Sequence, residues 1–176
     1  ETPSLINSRR MILDLLLQSY HDAGYDIGKQ DGEAEFTRWC QHYGVVQVEK
    51  NRLPRHKADS DPNPFIWVDM NKCILCTRCV RACDEIQGRF VWGVAGRGAE
   101  ARIVAGANLP MLDARCESCG ACVAACPTGA LMPAREVGKV EPDRQVDSVC
   151  PYCGVGCQLT YNVKGNTILY VQGKDG

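Results

Sequence analysis

The sequence predicts an α+β protein, and three observations support this class. Apolar residues recur at helical spacing near the start, a cysteine-rich unit occurs twice in the middle, and short apolar runs typical of strands lie around that unit. The chain has 176 residues, enough for one compact domain or two small ones. Its net charge of −1 gives no reason to expect a nucleic acid or an anionic membrane surface as partner. No apolar run is long enough to cross a bilayer.

Residues 1–62 are predicted to form a small helical segment. A first helix is expected from Ser4 to Tyr20 with Ser4 as its cap, and a second from Glu33 to Tyr43, ended by Gly44. The polar, proline-rich stretch from Asn51 to Pro64 then predicts a domain boundary. The apolar positions that suggest these helices are Leu5, Ile6, Ile12, Leu13, Leu16, Leu17 and Tyr20 in the first, and Phe36, Trp39, Cys40 and Tyr43 in the second.

The strand predictions fall in the rest of the chain. Phe65–Val68 precedes the first cysteine cluster, and Arg89–Val94 with Glu100–Ala105 suggests a hairpin between the two clusters. Near the end, two alternating apolar runs around Tyr161 and Tyr170 predict a second hairpin that turns at Gly165 and Asn166.

Twelve cysteines are the most informative feature of the composition. The chain starts at Glu1 without a basic, apolar signal peptide, so dense cysteine indicates metal binding before disulfides and favours a reducing, cytoplasmic compartment. A start at Glu1 without Met also suggests that the chain belongs to a longer protein. Two runs share the spacing C-x2-C-x2-C-x3-C: Cys73, Cys76, Cys79 and Cys83, then Cys116, Cys119, Cys122 and Cys126.

This doubled spacing is the pattern of bacterial two-cluster ferredoxins. Iron takes soft thiolate ligands, and three closely spaced cysteines can bind one cubane while the fourth serves the other cluster. Residues 63–140 are therefore predicted to form a two-[4Fe–4S] ferredoxin-like domain that carries single electrons. The predicted ligand sets are Cys73, Cys76, Cys79 and Cys126 for cluster one, and Cys116, Cys119, Cys122 and Cys83 for cluster two.

Three other readings of these cysteines are weaker. Zinc needs four ligands per site and has no use for crossed sets. Disulfides need an oxidising compartment, and a redox-active C-x-x-C pair has no reason to be repeated in this way.

A third cysteine group supplies three further ligands, Cys150, Cys153 and Cys157. No cysteine or histidine follows it, so the fourth ligand is expected beyond the chain. The stretch CPYCGVGC resembles the opening of the molybdenum or tungsten bis-pterin oxidoreductases, and it is close to the formate dehydrogenase version.

The paired motif upstream, CILCTRCVRACDEIQG and CESCGACVAACPTGAL, resembles the ferredoxin-like insert of the large formate dehydrogenase catalytic (alpha) subunits. The resemblance implies that residues 141–176 begin a molybdopterin oxidoreductase 4Fe–4S domain, truncated here, with a third [4Fe–4S] cluster. It also implies a molybdenum or tungsten bis-pterin guanine dinucleotide in the missing C-terminal part. The activity it implies is formate oxidation, or carbon dioxide reduction in reverse, with this segment as electron relay and no catalytic residue of its own.

In those subunits, as in the related complex I large subunits and iron hydrogenases, the first segment holds a further cluster through H-x3-C-x2-C-x5-C. Counted from His21, the cysteine positions here are Tyr25, Gly28 and Ala34, so no cluster is predicted in this segment. Its loss argues against a direct NAD connection; a flavin/NAD subunit, another iron–sulfur subunit and a ferredoxin all stay open as partners. Cys40 is predicted to be a buried structural thiol.

Two other classes of function are open from the sequence. A complex I-type or iron-hydrogenase electron-input segment shares parts of these motifs, and a free-standing ferredoxin-like carrier would use the Cys150 group structurally or for zinc. Lys72, Arg78 and Arg81 lie near the first motif; they are expected to be solvated charges, and the alternative is a docking site for an acidic redox partner.

Overall fold

The structure is a computed structural model that describes residues 1–20, 34–45, 56, 61–137 and 141–174. The described residues form two compact units, one through Ala134 and one from Arg135 onward. The architecture mixes helices and strands, as predicted. The division at residue 62 stays a prediction, because residues on both sides of it lie in the first unit.

Helices α1 (Pro3–Leu17) and α2 (Glu35–His42) confirm the two predicted helices, with shorter bounds. Thr2, not Ser4, caps α1: its hydroxyl accepts the Leu5 N–H at 3.3 Å, and Pro3 fits the first turn because that turn needs no amide donor.

The helices pack through a smaller apolar face than the sequence predicts. Leu17, Tyr20, Phe36 and Cys40 form a buried cluster, and the Tyr20 and Phe36 rings lie 5.4 Å apart. Leu5, Ile12 and Trp39, which are among the apolar positions that suggested these helices, are instead exposed, and the α1 residues in or against the cluster are Leu13, Leu16 and Leu17.

The cysteine-rich part of the first unit contains two short antiparallel pairs. Strand β1 (Ile66–Val68) pairs with β4 (Leu131–Pro133), and β2 (Trp92–Ala95) forms the predicted hairpin with β3 (Arg102–Ala105). Strand β4 was not predicted from sequence, since a strand of three residues that ends in a proline shows no alternation of apolar and polar residues.

Short helices carry the cysteine motifs. They are α3 (Arg78–Arg81), which runs into a π-helical turn at Ala82–Ile86, and α4 (Ala121–Ala124); single 3-10 turns lie at Met70–Lys72 and Gly98–Glu100. The core of this part includes the ligand candidates Cys83 and Cys122 together with Met111, whose side chain is fully buried. Two of the predicted metal ligands are therefore part of the packed interior.

The second unit is an antiparallel sheet of β5 (Arg144–Val149), β6 (Gln158–Lys164) and β7 (Thr167–Gly173), in that order. The predicted hairpin is β6–β7, with its turn at residues 165–166. Strand β5 was not predicted, because its exposed, mostly polar residues lack a buried face. The third cysteine group occupies the connection between β5 and β6.

Candidate iron–sulfur centres

The two cysteine motifs share left-handed backbone at two equivalent positions. In each, the second and fourth residues after the first cysteine adopt a left-handed conformation, which L residues with a Cβ rarely take. These residues are Leu75 (φ 56°) and Thr77 (φ 59°) in the first motif, and Ser118 (φ 54°) and Gly120 (φ 80°) in the second. Strained backbone of this kind clusters at functional sites, where surrounding contacts hold it in place.

The left-handed turns point main-chain amides at sulfur. The Leu75 N–H donates to Cys73 Sγ at 3.4 Å, and the Ser118 N–H donates to Cys116 Sγ at 3.3 Å. Successive amides in such turns make concave anion sites of the kind found at iron–sulfur clusters. The repeat seen in the sequence is thus also a repeat of donor geometry.

The fourth cysteine of each motif lies just beyond its short helix. Cys83 is in the π-helical turn, is buried, and accepts the Val91 N–H at 3.3 Å. Cys126 follows α4, and its sulfur lies 3.6 Å from the Thr128 hydroxyl. Single π-helical turns inside helices are frequent at functional sites.

The thiols of the first motif lie in surroundings that disfavour their charged form. The pKa of Cys73 is raised to about 11 and that of Cys79 to about 12, mainly by burial, with a smaller contribution from neighbouring thiols that include Cys126 of the other motif; the hydrogen bond from the Leu75 N–H acts in the opposite sense on Cys73.

Burial likewise raises the pKa of Cys122 to about 11 and also raises that of Cys116; charge on Cys83 contributes to both shifts. A hydrogen bond from Trp92 acts in the opposite sense on Cys122. Buried thiols of this kind bind as thiolates only when a metal supplies compensating charge.

A recess in the first unit is lined by all four sulfur residues of the predicted first set. Its wall combines them with apolar neighbours: Cys73, Cys76, Cys79 and Cys126 with Met70, Ile74, Ile103 and Leu131. The donor set and its apolar surroundings fit a [4Fe–4S] cluster, which takes four thiolates. Among the residues that the structure describes, no group of three or more His, Cys, Asp or Glu side chains is spaced for a single metal ion.

The third cysteine group lies in the second unit. The Cys150 N–H donates to the Cys157 carbonyl at 2.8 Å and closes the loop between β5 and β6. Within it, Gly154 and Gly156 take left-handed φ values of 76° and 84°, so the backbone turns between Cys153 and Cys157. All twelve cysteines of the chain are free thiols.

In the first segment, the positions that correspond to the H-x3-C-x2-C-x5-C pattern lie in the sequence between helices α1 and α2. His21, Tyr25 and Gly28 lie outside the described residues, and Ala34 immediately precedes α2. The absence of a cluster there stays a prediction. Cys40 is buried as predicted, and burial raises its pKa.

The charged residues near the first motif behave differently from one another. Arg78 donates to Glu35 of α2 at 2.6 Å, and this bond lowers the pKa of Glu35. Arg81 is exposed as predicted and pairs with Glu85. Lys72 was predicted to be solvated, and this is wrong: it is 1% exposed, because the turn at Met70–Lys72 directs it into the interior.

Several residues that contact the sulfurs were not predicted from the sequence. They are Ser118, Val91, Trp92 and Thr128, together with Asn63, which contacts Ser118. Ser118 could have been found from its place two residues after Cys116, which matches that of Leu75. The others come close to sulfur only through tertiary folding.

Comparisons with known proteins agree with this site. Residues 63–132 match the ferredoxin-like domain of NADH-quinone oxidoreductase subunit 3, and residues 143–175 match the molybdopterin oxidoreductase Fe4S4 domain. An NADH-quinone oxidoreductase subunit of Rhizobium meliloti (strain 1021) is 34% identical over 97% of this chain and 20% of its own length. A Staphylococcus aureus (strain USA300) protein, provisionally named a formate dehydrogenase, is 28% identical over 94% of this chain and 21% of its own.

A solved structure shares the fold. An NAD⁺-reducing [NiFe]-hydrogenase in the H₂-reduced state aligns with a TM-score of 0.63 and 26% identity, over 76% of this chain and 56% of that one. The present chain spans about a fifth of the length of the curated relatives it matches.

The repeated cysteine loops and these relatives define an iron–sulfur electron-transfer segment of an oxidoreductase. More particularly, the chain contains a segment that matches the ferredoxin-like domain of NADH-quinone oxidoreductase subunit 3, followed by a segment that matches the molybdopterin oxidoreductase Fe4S4 domain. No helix among the described residues is long and apolar enough to span a membrane.

Proposed function

We propose that the chain relays single electrons through two [4Fe–4S] clusters held by crossed ligand sets. Cluster one takes Cys73, Cys76, Cys79 and Cys126, and cluster two takes Cys116, Cys119, Cys122 and Cys83. The observation that carries this proposal is the recess lined by the first set, since Cys126 reaches it from the opposite motif. For the second set, Cys83 and Cys122 are both buried in the core against which Cys116 packs.

In this proposal the chain has three parts: residues 1–62, a helical segment without a cluster; residues 63–140, the two-cluster domain; and residues 141–176, which start the pterin-linked domain. Cys150, Cys153 and Cys157 hold a third [4Fe–4S] cluster with a fourth ligand outside this sequence. The match of residues 143–175 supports this part. A molybdenum or tungsten bis-pterin guanine dinucleotide in the parent protein supplies the two-electron chemistry.

The parent activity we propose is formate oxidation, or carbon dioxide reduction, with electrons leaving to another redox subunit or a ferredoxin. The Staphylococcus aureus relative supports formate as substrate. A complex I-type input segment is the second candidate, favoured by the 34% identity to the Rhizobium meliloti NADH-quinone oxidoreductase chain. The density of cysteine in the sequence supports a reducing, cytoplasmic setting, because iron–sulfur ligation needs thiols that are not oxidised to disulfides.

Ligand assignment is tested by serine substitutions in anaerobically purified protein. We expect the paired motifs to bind enough iron and sulfide for two [4Fe–4S] clusters. The electron paramagnetic resonance spectrum of the reduced protein should then show two interacting signals. Cys76→Ser and Cys119→Ser, at two exposed cysteines, define the spectra that report loss of cluster one and of cluster two. Crossed ligation requires Cys126→Ser to resemble Cys76→Ser, and Cys83→Ser to resemble Cys119→Ser.

If Cys83→Ser instead resembled Cys76→Ser, and Cys126→Ser resembled Cys119→Ser, the crossed ligand sets would be wrong but the proposed electron relay would stand. Stoichiometric zinc with little iron, in carefully reconstituted protein, would overturn the relay itself. The two candidate activities of the parent protein are distinguished by which electron donor reduces the clusters. If the parent is a formate dehydrogenase, formate should reduce the clusters of the full-length protein without a partner subunit. Reduction by NADH with its flavin subunit, and none by formate, would favour the complex I-type function.

A further inference from the structure

Thr128 is a buried residue in the turn that follows the second cysteine motif, and its side chain is 2% exposed. The turn is fixed on both sides of Thr128. The Pro127 carbonyl accepts the Phe36 N–H at 2.9 Å, and the Ala130 carbonyl accepts the Asp69 N–H at 2.8 Å. Because both bonds come from distant parts of the sequence, tertiary contacts set the place of the Thr128 side chain.

The Thr128 hydroxyl lies against a proposed ligand of cluster one. Its Oγ1 is 3.6 Å from Cys126 Sγ, which is a hydrogen-bonding distance because sulfur is larger than oxygen. Among the residues that the structure describes, this sulfur is the one hydrogen-bond partner of the hydroxyl. Burying a hydroxyl without a partner is costly, whereas valine would fill the same space with no polar group. The contact with sulfur therefore accounts for a hydroxyl at this position.

The direction of this hydrogen bond follows from the state of the sulfur. Between a free thiol and a hydroxyl, either atom can be the donor. A cysteine that binds iron is a thiolate without a proton, so the Thr128 hydroxyl must then donate. Thr128 also lines the recess that contains the four sulfur residues of the first set. The hydroxyl is therefore placed as a donor to cluster one.

The fourth cysteine of the first motif has a different donor. The residue two places after Cys83, which corresponds to Thr128, is Glu85; it is exposed and pairs with Arg81. Cys83 accepts the main-chain N–H of Val91 instead. The donor to Cys126 is thus a side chain that one substitution removes, and the donor to Cys83 is not.

We propose that the Thr128 hydroxyl donates to the Cys126 thiolate and raises the reduction potential of cluster one. This inference rests on the proposed two-cluster function with crossed ligand sets. Hydrogen bonds to ligand sulfurs stabilise the reduced, more negative cluster, and they are one of the determinants of iron–sulfur potentials. A residue of the second motif thereby tunes the cluster that the first motif mainly binds.

The test is an anaerobic redox titration of the full chain, in which the spectra of Cys76→Ser and Cys119→Ser identify the two clusters. Thr128→Val removes the hydroxyl and keeps the branched shape of the side chain. At a fixed potential, we expect it to lower the ratio of reduced to oxidised cluster one about tenfold, which is a fall of about 59 mV for a one-electron couple. Cluster two should keep its potential.

Three further variants separate the hydroxyl from a general structural effect. Thr128→Ser keeps the hydroxyl and loses the methyl group, so cluster one should stay close to its unmodified potential. Thr37→Val makes the same substitution as Thr128→Val at a half-buried residue of α2 that does not line the recess, and it should shift neither cluster. Thr128→Ala also removes the hydroxyl, and it should lower the cluster-one potential if Thr128→Val does not fold.

Three results would overturn the inference and leave the relay intact: an unchanged cluster-one potential in Thr128→Val, an equal shift of both clusters, or the same shift in Thr128→Ser as in Thr128→Val. A shift confined to cluster two would overturn the assignment of Thr128 and Cys126 to cluster one. An unmodified chain that does not bind two clusters would instead overturn the proposed function, and this inference with it.

Discussion

The left-handed residues at the ends of the two cysteine loops allow the backbone strain of the site to be measured. Gly120 immediately precedes α4 with φ 80°, and Thr77 has the equivalent place before α3 with φ 59°. A Cβ added at Gly120 would meet no atom within 4 Å, so Gly120→Ala changes the backbone preference with no steric clash. A left-handed L residue costs about 1–2 kcal/mol, and the lost freedom of the unfolded glycine offsets about 0.4–1 of this.

Gly120→Ala is therefore expected to destabilise the protein by about 1 kcal/mol, which lowers the melting temperature by about 2–4 °C for a chain of this size. The same comparison applies at the other loop, where Thr77→Gly should be more stable than Thr77→Ala by a similar amount. Comparing glycine with alanine at position 77 removes the contribution of the threonine side chain.

The assay is anaerobic thermal unfolding at a fixed scan rate, followed by circular dichroism and by the visible absorbance of the clusters. Ala124→Gly is the matched control, because Ala124 is exposed and helical at the end of α4, where glycine should cost about 0.5–1 kcal/mol. Compared with alanine, glycine must therefore make the protein more stable at positions 77 and 120 and less stable at position 124. Alanine equal to or better than glycine at both loop positions would refute the claim of strain.

Three further predictions concern packing and charge. Met111→Ala empties a fully buried site and should cost about 2–5 kcal/mol in thermal or urea unfolding, whereas Met11→Ala, at a residue 60% exposed, should cost less than about 0.5. Glu35→Gln breaks the ion pair with Arg78, in which the Glu35 and Arg78 side chains are 39% and 48% exposed. The loss of unfolding free energy should therefore stay within about 0.2–1 kcal/mol and vanish near 1 M salt. A loss that does not depend on salt would show that the pair does not act through charge. Cys40→Ala should leave the iron content unchanged and cost about 1 kcal/mol, and loss of iron in this variant would mean that Cys40 is a ligand.

The sequence predicted the parts of the fold that local chemistry determines. The cysteine spacing, the hairpin between the motifs and the final hairpin follow from local patterns, and Gly165 and Asn166 turn where expected. Strands β4 and β5 were missed because one is too short and the other too exposed to show alternation. Which face of α1 is buried depends on where α2 lies against it, and periodicity alone does not carry that information.

The residues of the candidate site also fall into those that the sequence predicts and those that it does not. The sulfur residues could be identified from spacing, since ligand geometry requires them to be close in the sequence. Trp92, whose side chain hydrogen-bonds to Cys122, could not be identified, because the two residues are far apart in the sequence and come together only in the folded core. Burial of Lys72 was also beyond local reasoning, since a lysine beside a cysteine is expected on the surface until the turn that directs it inward is known.

The first segment has a structural role that does not require a cluster of its own. The Phe36 N–H at the start of α2 donates to the Pro127 carbonyl at 2.9 Å, directly after Cys126, and neighbouring Glu35 binds Arg78. Ile74, inside the first cysteine loop, packs against the buried cluster of α1 and α2. Each of these contacts lies beside a proposed ligand of cluster one, and they come from both motifs. Helix α2 therefore ties together the two pieces of chain that cluster one must bridge, which is a reason for the helices to be present where the thiolates of the related pattern are absent.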